Sequence, residues 1–263
     1  MSGVSPEHPR AESIRIREKL IEHFRKGVVA IAGLMAHGRG EAFDYLIGEE
    51  TSQNALRAVR ATAAAMLQAK HPVISVNGNV TALAARDIVR LAEASEAKLE
   101  INLFYRSKDR IDAIAKVLRE AGAKEILGLG EDLVKIDEVH SERRWVDPKG
   151  ILSADVVLLA LEDGDRTEAL RRMGKCVIVI DLNPFSRSAQ WGSITIVDNV
   201  VRAIPALIKE VKKQRSLTSK ERERIIEEFD NRRNLSEAIK LILNRLSELS
   251  EKGVFIDLNT EKE

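Results

Sequence analysis

The sequence predicts an α/β fold: a Rossmann-like parallel sheet flanked by helices, followed by a C-terminal helical extension. Two observations carry that prediction. Between residues 73 and 197, short apolar runs alternate with amphipathic stretches. That is the pattern of strands buried on both faces and joined by helical crossovers. After residue 214 the chain changes to highly charged stretches whose apolar residues keep helical spacing.

Taken in order, residues 11–26 place Ile14, Leu20, Ile21 and Phe24 on one helical face, and residues 54–68 form an alanine-rich helix. Strands are predicted at 73–76, 99–104, 125–129, 155–161, 176–180 and 194–197. Helices are predicted between them at 84–94, 108–121 and 166–173, with Gly122 and Gly174 as C-cap signals. Residues 134–152 are charged and aperiodic and read as a long surface loop. Amphipathic helices follow at 219–229 and 235–249, and the tail 251–263 is expected to fray. The expected organisation is an α/β catalytic domain over 1–214, including the N-terminal helices. Residues 215–263 are then a helical extension packing on the core or on a partner subunit.

Composition excludes several function classes. Lys and Arg number 42 against 41 Asp and Glu, a formal net charge of +1. This leaves no basic excess for nucleic acid or an anionic membrane, so small molecules or another copy of the chain are the expected partners. Cys176 is the only cysteine, which rules out an intramolecular disulfide and fits a reducing, cytoplasmic compartment. Opening an apolar run, it reads as a small buried hydrophobe. The histidines at 8, 23, 37, 71 and 140 have no metal-ligand spacing, and the sequence names no metal ligands. Residues 1–10 lack the apolar core of a signal peptide, and the apolar run 156–161 is far shorter than the ~20 residues of a membrane helix.

In an open parallel sheet the chemistry sits beyond the carboxyl ends of the strands. The polar residues that follow the predicted strands are therefore the candidates: Asn77-Gly78-Asn79, Tyr105-Arg106, residues 162–167, Asp181-Leu182-Asn183, and Asp198-Asn199. A phosphate-loop motif is absent, and Gly38-Arg39-Gly40 lacks the third glycine and the preceding strand of a dinucleotide fingerprint. His37-Gly38-Arg39-Gly40 reads as one of two things. It is a turn opening a helix at Glu41 with Arg39 in solvent, or a loop whose backbone and Arg39 approach a phosphate. His37 is a candidate general base or phosphate donor. Residues 181–188 read as a proline-directed turn or as a nucleotide loop, with Asp181 suited to a ribose hydroxyl or a magnesium-bound water and Arg187 to a phosphate. Asp163 and Asp165 compete between helix capping and a role toward magnesium or substrate. Asn77, Asn79 and Arg106 are candidate substrate contacts because they follow neighbouring strands.

Together these stretches resemble a known family. They comprise Ile16-Arg17-Glu18-Lys19-Leu20, residues 36–46 around His37-Gly38-Arg39-Gly40, Ile74-Ser75-Val76-Asn77-Gly78-Asn79, residues 161–170, Ile180-Asp181-Leu182-Asn183-Pro184, residues 197–205 and Asp230-Asn231-Arg232-Arg233. In this order and over nearly the whole chain they are similar to the archaeal 4-phosphopantoate–β-alanine ligases, or phosphopantothenate synthetases. Phe185 and Ser188 are small departures from that pattern.

The resemblance implies a homodimeric ligase of coenzyme A biosynthesis. It condenses (R)-4-phosphopantoate with β-alanine to give 4′-phosphopantothenate, AMP and diphosphate, with ATP as co-substrate and Mg2+ on its phosphates. It also implies that Arg17, Arg39, Asp181, Leu182, Asn183, Arg187, Ser188, Asn199 and Val200 hold ATP. His37, Arg39, Asp163 and Asp165 are then the candidate catalytic residues, and Asn77, Asn79 and Arg106 the contacts to phosphopantoate. Two other readings use the same fold: a non-catalytic nucleotide sensor, and a nicotinamide-dependent oxidoreductase.

Overall fold

The computed structural model describes residues 5, 7–8, 10–130 and 132–253. Five parallel strands form the centre: β1 (Pro72–Val76), β2 (Lys98–Ile101), β5 (Val156–Ala160), β6 (Cys176–Ile180) and β7 (Ile194–Ile196), in the order β2-β1-β5-β6-β7. The short strands β3 (Val134–Lys135) and β4 (Trp145–Val146) pair antiparallel outside this sheet. The α/β class predicted from the sequence is the class observed.

Alternation along each strand sends side chains to two separate cores. Ile74, Leu158, Ile178 and Ile194 form one row across four strands on the first face. That face is covered by α3 (Gln53–Gln68), α4 (Gly78–Ser95), α5 (Lys108–Glu120) and α8 (Val200–Gln214). Val73, Val157 and Val177 form the matching row on the second face, under α6 (Gly164–Arg172) and residues 136–151. Polar residues at the helix entries satisfy otherwise orphaned N–H groups: Ser52 caps α3, Asn77 caps α4, Ser107 caps α5 and Asn199 caps α8.

Residues 134–152 are therefore not a surface loop. Ile136, Val139, Val146 and Ile151 are fully buried and complete the second core, because without them the valine face of β1, β5 and β6 would meet water. The segment is tied down by Glu100, a fully buried carboxylate on β2. Its Oε1 accepts from Asp147 N at 3.1 Å and its Oε2 from Ile151 N at 2.6 Å. The strand predicted at 125–129 is reduced to one bridge, Leu127 against Glu100, since Gly128 turns away at φ +81°.

Three helices lie outside the predicted set, one of them the short helix at Arg187–Trp191. His37-Gly38-Arg39-Gly40 is neither a loop nor a turn but the middle of α2 (Ile31–Ile47). Glycine weakens a helix interior by about 1 kcal/mol each, so α2 depends on what its glycines approach. A Cβ at Gly33 would meet Asn79 Oδ1 at 2.2 Å, and one at Gly40 would meet Leu182 at 3.6 Å. Another is α8, whose internal Pro205 interrupts the helical signal.

The N-terminal helix α1 (Ala11–Arg25) packs on α4 and α2. Residues 187–191 form the short helix α7 (Arg187–Trp191), next to α6. At the C-terminus, α9 (Ser219–Glu227) lies on α3, and α10 (Asn231–Lys252) crosses α2, α3, α7 and β7. The tail expected to fray is helical at Glu251 and Lys252 and lies outside the described residues from 254 onward.

Burial holds the Glu100 carboxyl at a pKa of about 7, above the ordinary 4.5. The folded state thus keeps a proton that the unfolded chain releases. Stability from this group is fully present below about pH 4.5 and declines as pH rises to about 7. Denaturant titrations of the protein and of Glu100→Gln across that window are expected to give a difference that changes with pH and levels off above 7. A flat difference would remove Glu100 as the source.

Candidate active site

The strand order reverses between β1 and β5, and this is where an open parallel sheet leaves its crevice. At that point Leu161 ends β5 in the left-handed region, φ 55°, a conformation a branched side chain adopts only when its surroundings enforce it. Asn77 supplies the enforcement. Its Nδ2 donates to the carbonyls of Ala160 (2.8 Å) and Leu161 (3.3 Å), and its Oδ1 accepts from Val80 N at 3.1 Å. The polar atoms of Asn77 are thus engaged with backbone. Asn79 donates to Gly33 O at 2.8 Å and docks α2 over the crevice.

A cavity of about 250 Å³ opens here, with Arg39, Asn79, Arg110, Arg143 and Asp163 in its wall. Beneath it is a buried ionic cluster. Glu162 Oε2 accepts from Arg143 Nη1 at 3.0 Å and from Arg166 Nη1 at 2.6 Å, while Arg166 also donates to Ser75 Oγ. Arg143 Nε lies 2.9 Å from Asp163 Oδ2, in poor alignment for a hydrogen bond. Burial raises the Asp163 carboxyl above its ordinary range, and the charge of Arg143 opposes that shift.

The nucleotide positions expected after β6 form a compact turn. Asp181 accepts from Ser186 Oγ at 2.5 Å and from Asn183 N at 2.9 Å. Asn183 Oδ1 in turn accepts from Phe185 N. Burial pushes the Asp181 carboxyl up, with these bonds and the nearby charge of Arg39 pulling it down. Ser188 donates to Glu162 O at 2.6 Å, joining this turn to the ionic cluster. Leu182 is buried against Ile47 and Ile242. Arg187 projects outward and donates to Glu168 at 3.0 Å.

Another face of α2 borders a second cavity, about 380 Å³, lined by Ser13, His37, Glu41, Asp44, Asn199 and Arg202 among others. Arg17 forks onto Glu41 through Nε and Nη2, at 3.1 and 2.8 Å. Asn199 Nδ2 donates to Asp44 at 2.7 Å, and Val200, buried behind it, opens α8. Burial lowers the pKa of His37 and favours its neutral imidazole, whose enclosed Nε2 has no partner within the described residues.

The structure thus gathers Arg39, Asn77, Asn79 and Asp163 at the first cavity and His37 and Asn199 at the second, with α2 between; Arg17 and Val200 lie outside both linings, Arg17 held on the lining residue Glu41. Asp165, in the first turn of α6, is outside the first cavity's lining, and so is Arg106, which lies between β2 and α5 and donates to Gly128 O at 2.9 Å. Sequence reasoning missed Arg110 and Arg143, and it placed Glu162 and Arg166 only within the candidate stretch 162–167, without seeing their pairing. Glu162 and Arg166 carry a legible signal, an i,i+4 pair straight after a strand. Arg143 carries none, because its segment has no periodicity.

Removing the one carboxylate that two buried guanidinium groups share leaves them uncompensated. Glu162→Gln is expected to cost about 3–5 kcal/mol in a urea titration. A loss under about 1 kcal/mol would show that the cluster is neutralised some other way.

Comparison with known proteins identifies the family. The family model described as phosphopantothenate/pantothenate synthetase matches residues 54–245. A 4-phosphopantoate–β-alanine ligase of Thermococcus kodakarensis is 51% identical over 256 residues, 97% of this chain and 98% of the relative. Its namesake in Thermococcus onnurineus is 52% identical over the same shares. A third, from Methanosarcina mazei, is 46% identical over 250 residues, 95% of this chain and 98% of the relative. The chain belongs to the phosphopantothenate/pantothenate synthetase family.

Proposed function

We propose that this chain joins 4-phosphopantoate to β-alanine at the expense of ATP, forming 4′-phosphopantothenate, AMP and diphosphate. One observation carries the reading: Arg39 belongs both to the wall of the crevice cavity and to the electrostatic surroundings of Asp181. The acid and the nucleotide therefore meet around a single guanidinium. ATP lies along the turn after β6 and the start of α8, touching Asp181, Leu182, Asn183, Arg187, Ser188, Asn199 and Val200, with Arg17 reaching in from α1. The acid substrate occupies the crevice cavity.

A carboxylate resists attack by an amine. Its oxygen first attacks the α-phosphorus of ATP and displaces diphosphate, giving an acyl adenylate. The β-alanine nitrogen then attacks the acyl carbon, AMP leaves, and the amine gives up its proton. Arg39 is placed to offset charge on the α-phosphate, and the half-buried Asp163 to face the ammonium of β-alanine. No group of three or more His, Cys, Asp or Glu arranged to hold a metal occurs among the described residues. A magnesium ion would be held by the ATP phosphates, with Asp181 the carboxylate this turn could offer it, and it would supply charge neutralisation.

The homodimer implied by the resemblance is part of the same proposal. Ile31 and Met35 on α2, with Ile21 and Phe24 on α1, are exposed apolar side chains that a second copy would cover. Sedimentation at micromolar concentration is expected to give twice the chain mass. A reducing cytoplasmic location is compatible with the lone Cys176. No helix of the described residues is long and apolar enough to cross a membrane.

AMP and diphosphate release tests the reaction. Both products are expected only when 4-phosphopantoate and β-alanine are supplied together with ATP and Mg2+, and 4-phosphopantoate alone should support exchange of labelled diphosphate into ATP. Failure of both at every magnesium concentration would overturn the ligase and favour a nucleotide sensor. Arg39→Ala is expected to raise KM for ATP about tenfold or more in the same assay.

A further inference from the structure

The cavity wall holds more positive charge than the nucleotide residues explain. Arg110, on α5, is half-buried, and its guanidinium donates to two carbonyls, Tyr105 O and, at 3.2 Å, Val28 O. Burial and the like charge of Arg143 both bear on it, and it forms no ion pair with a carboxylate among the described residues. Arg143 differs, since Glu162 and Asp163 both face it. The Arg110 Nε is enclosed and has no partner among the described residues.

Arg110 also borders the start of an 18-residue helix. A Cβ at Gly78, the first residue of α4, would stand 3.2 Å from Arg110 Nη2 and 2.2 Å from Val28 O, so only glycine lets these groups come together. The positive end of α4 and an uncompensated guanidinium therefore share one corner of the cavity. A partly dry corner with two positive sources and no anion is costly unless a ligand supplies the negative charge.

The sheet order says which end of the substrate belongs there. The nucleotide turn follows β6, whereas Arg110 follows β2, at the opposite end of the row β2-β1-β5-β6. From β6, which carries the nucleotide turn, to β2 is three strand spacings, roughly 14 Å. The reacting carboxylate has to lie at the nucleotide end, so the far end receives whatever terminates the other side of the acid.

We infer that Arg110, with the N-terminus of α4, is the phosphomonoester subsite of the acid-binding cavity and sets the preference for a phosphorylated over an unphosphorylated acid. The inference rests on the ligase reading for the identity of the acid. A phosphomonoester suits the corner better than a carboxylate, since it carries roughly −1.5 to −2 charge near neutral pH and three acceptor oxygens. Arg106, chosen from strand position alone, is engaged with Gly128 O and lies outside this wall.

The test compares Arg110→Gln and Arg110→Lys with the unsubstituted protein in the AMP-release assay. Arg110→Gln is expected to raise KM for 4-phosphopantoate about 30- to 100-fold. KM for ATP and the inhibition constant of unphosphorylated pantoate should stay within about twofold. Arg110→Lys keeps the charge and should fall between, which preserves the test if the glutamine variant fails to fold. An unchanged KM for 4-phosphopantoate, an equal weakening of pantoate, or a raised KM for ATP would each overturn the subsite. Should the unsubstituted protein release no AMP, the ligase reading fails by itself. Calorimetric titration of 4-phosphopantoate without ATP then still decides the subsite. Binding by the unsubstituted protein that Arg110→Lys weakens supports it, and no binding, or equal binding by both, removes it.

Discussion

Glu162 is the carboxylate on which the arrangement turns. Its position directly after β5 lets it reach Arg166 one turn into α6 and Arg143 in the covering segment, while its backbone carbonyl takes the Ser188 hydroxyl. Arg166 also reaches Ser75 on β1. Two strands, two helices and a long connection are thus fixed to one another where the strand order reverses. Such a cluster is not by itself a large source of stability, because desolvating three charges offsets most of their attraction. Its value lies in specificity: each partner satisfies the others only in this one geometry.

Above that fixed floor, α2 decides how the space is divided. The helix carries three glycines, a poor composition for an isolated helix, yet Gly33 is what lets it lie close to Asn79. Asp44, lower on the same helix, is buried with Asn199 and Arg202 at the start of α8. One face of α2 consequently borders the crevice cavity and another the pocket beneath Arg17. Mutually repelling phosphates and carboxylates need cations held in place before they arrive, since positioned charge in a partly dry cleft acts more strongly than mobile charge in water. Arg39, Arg110 and Arg143 line the crevice cavity from three different parts of the chain.

The strands were legible because burial on both faces produces unbroken apolar runs, and β1, β5, β6 and β7 fall within about two residues of their predicted positions. The helix ends at Gly122 and Gly174 were legible for a similar local reason, since both adopt positive φ just past α5 and α6. The failures have local causes too. Glycine and proline signal interruption, yet α2 and α8 continue through them because their neighbours compensate. Residues 134–152 looked solvated because their apolar side chains have no period. They are held by contacts with β1, β5 and β6 and by Glu100, all remote along the chain.

By itself the sequence determined the fold class, the strand-end positions where chemistry can sit, and, through long motifs in a fixed order, the family. These are properties of local pattern, and local pattern is what a sequence carries directly. Tertiary structure alone decided that His37-Gly38-Arg39-Gly40 is helical, that Arg106 turns away while Arg110 faces the cavity, and that Arg143 joins the site. Each depends on which backbone carbonyl or carboxylate lies within hydrogen-bond reach in space. No spacing along the chain encodes that distance.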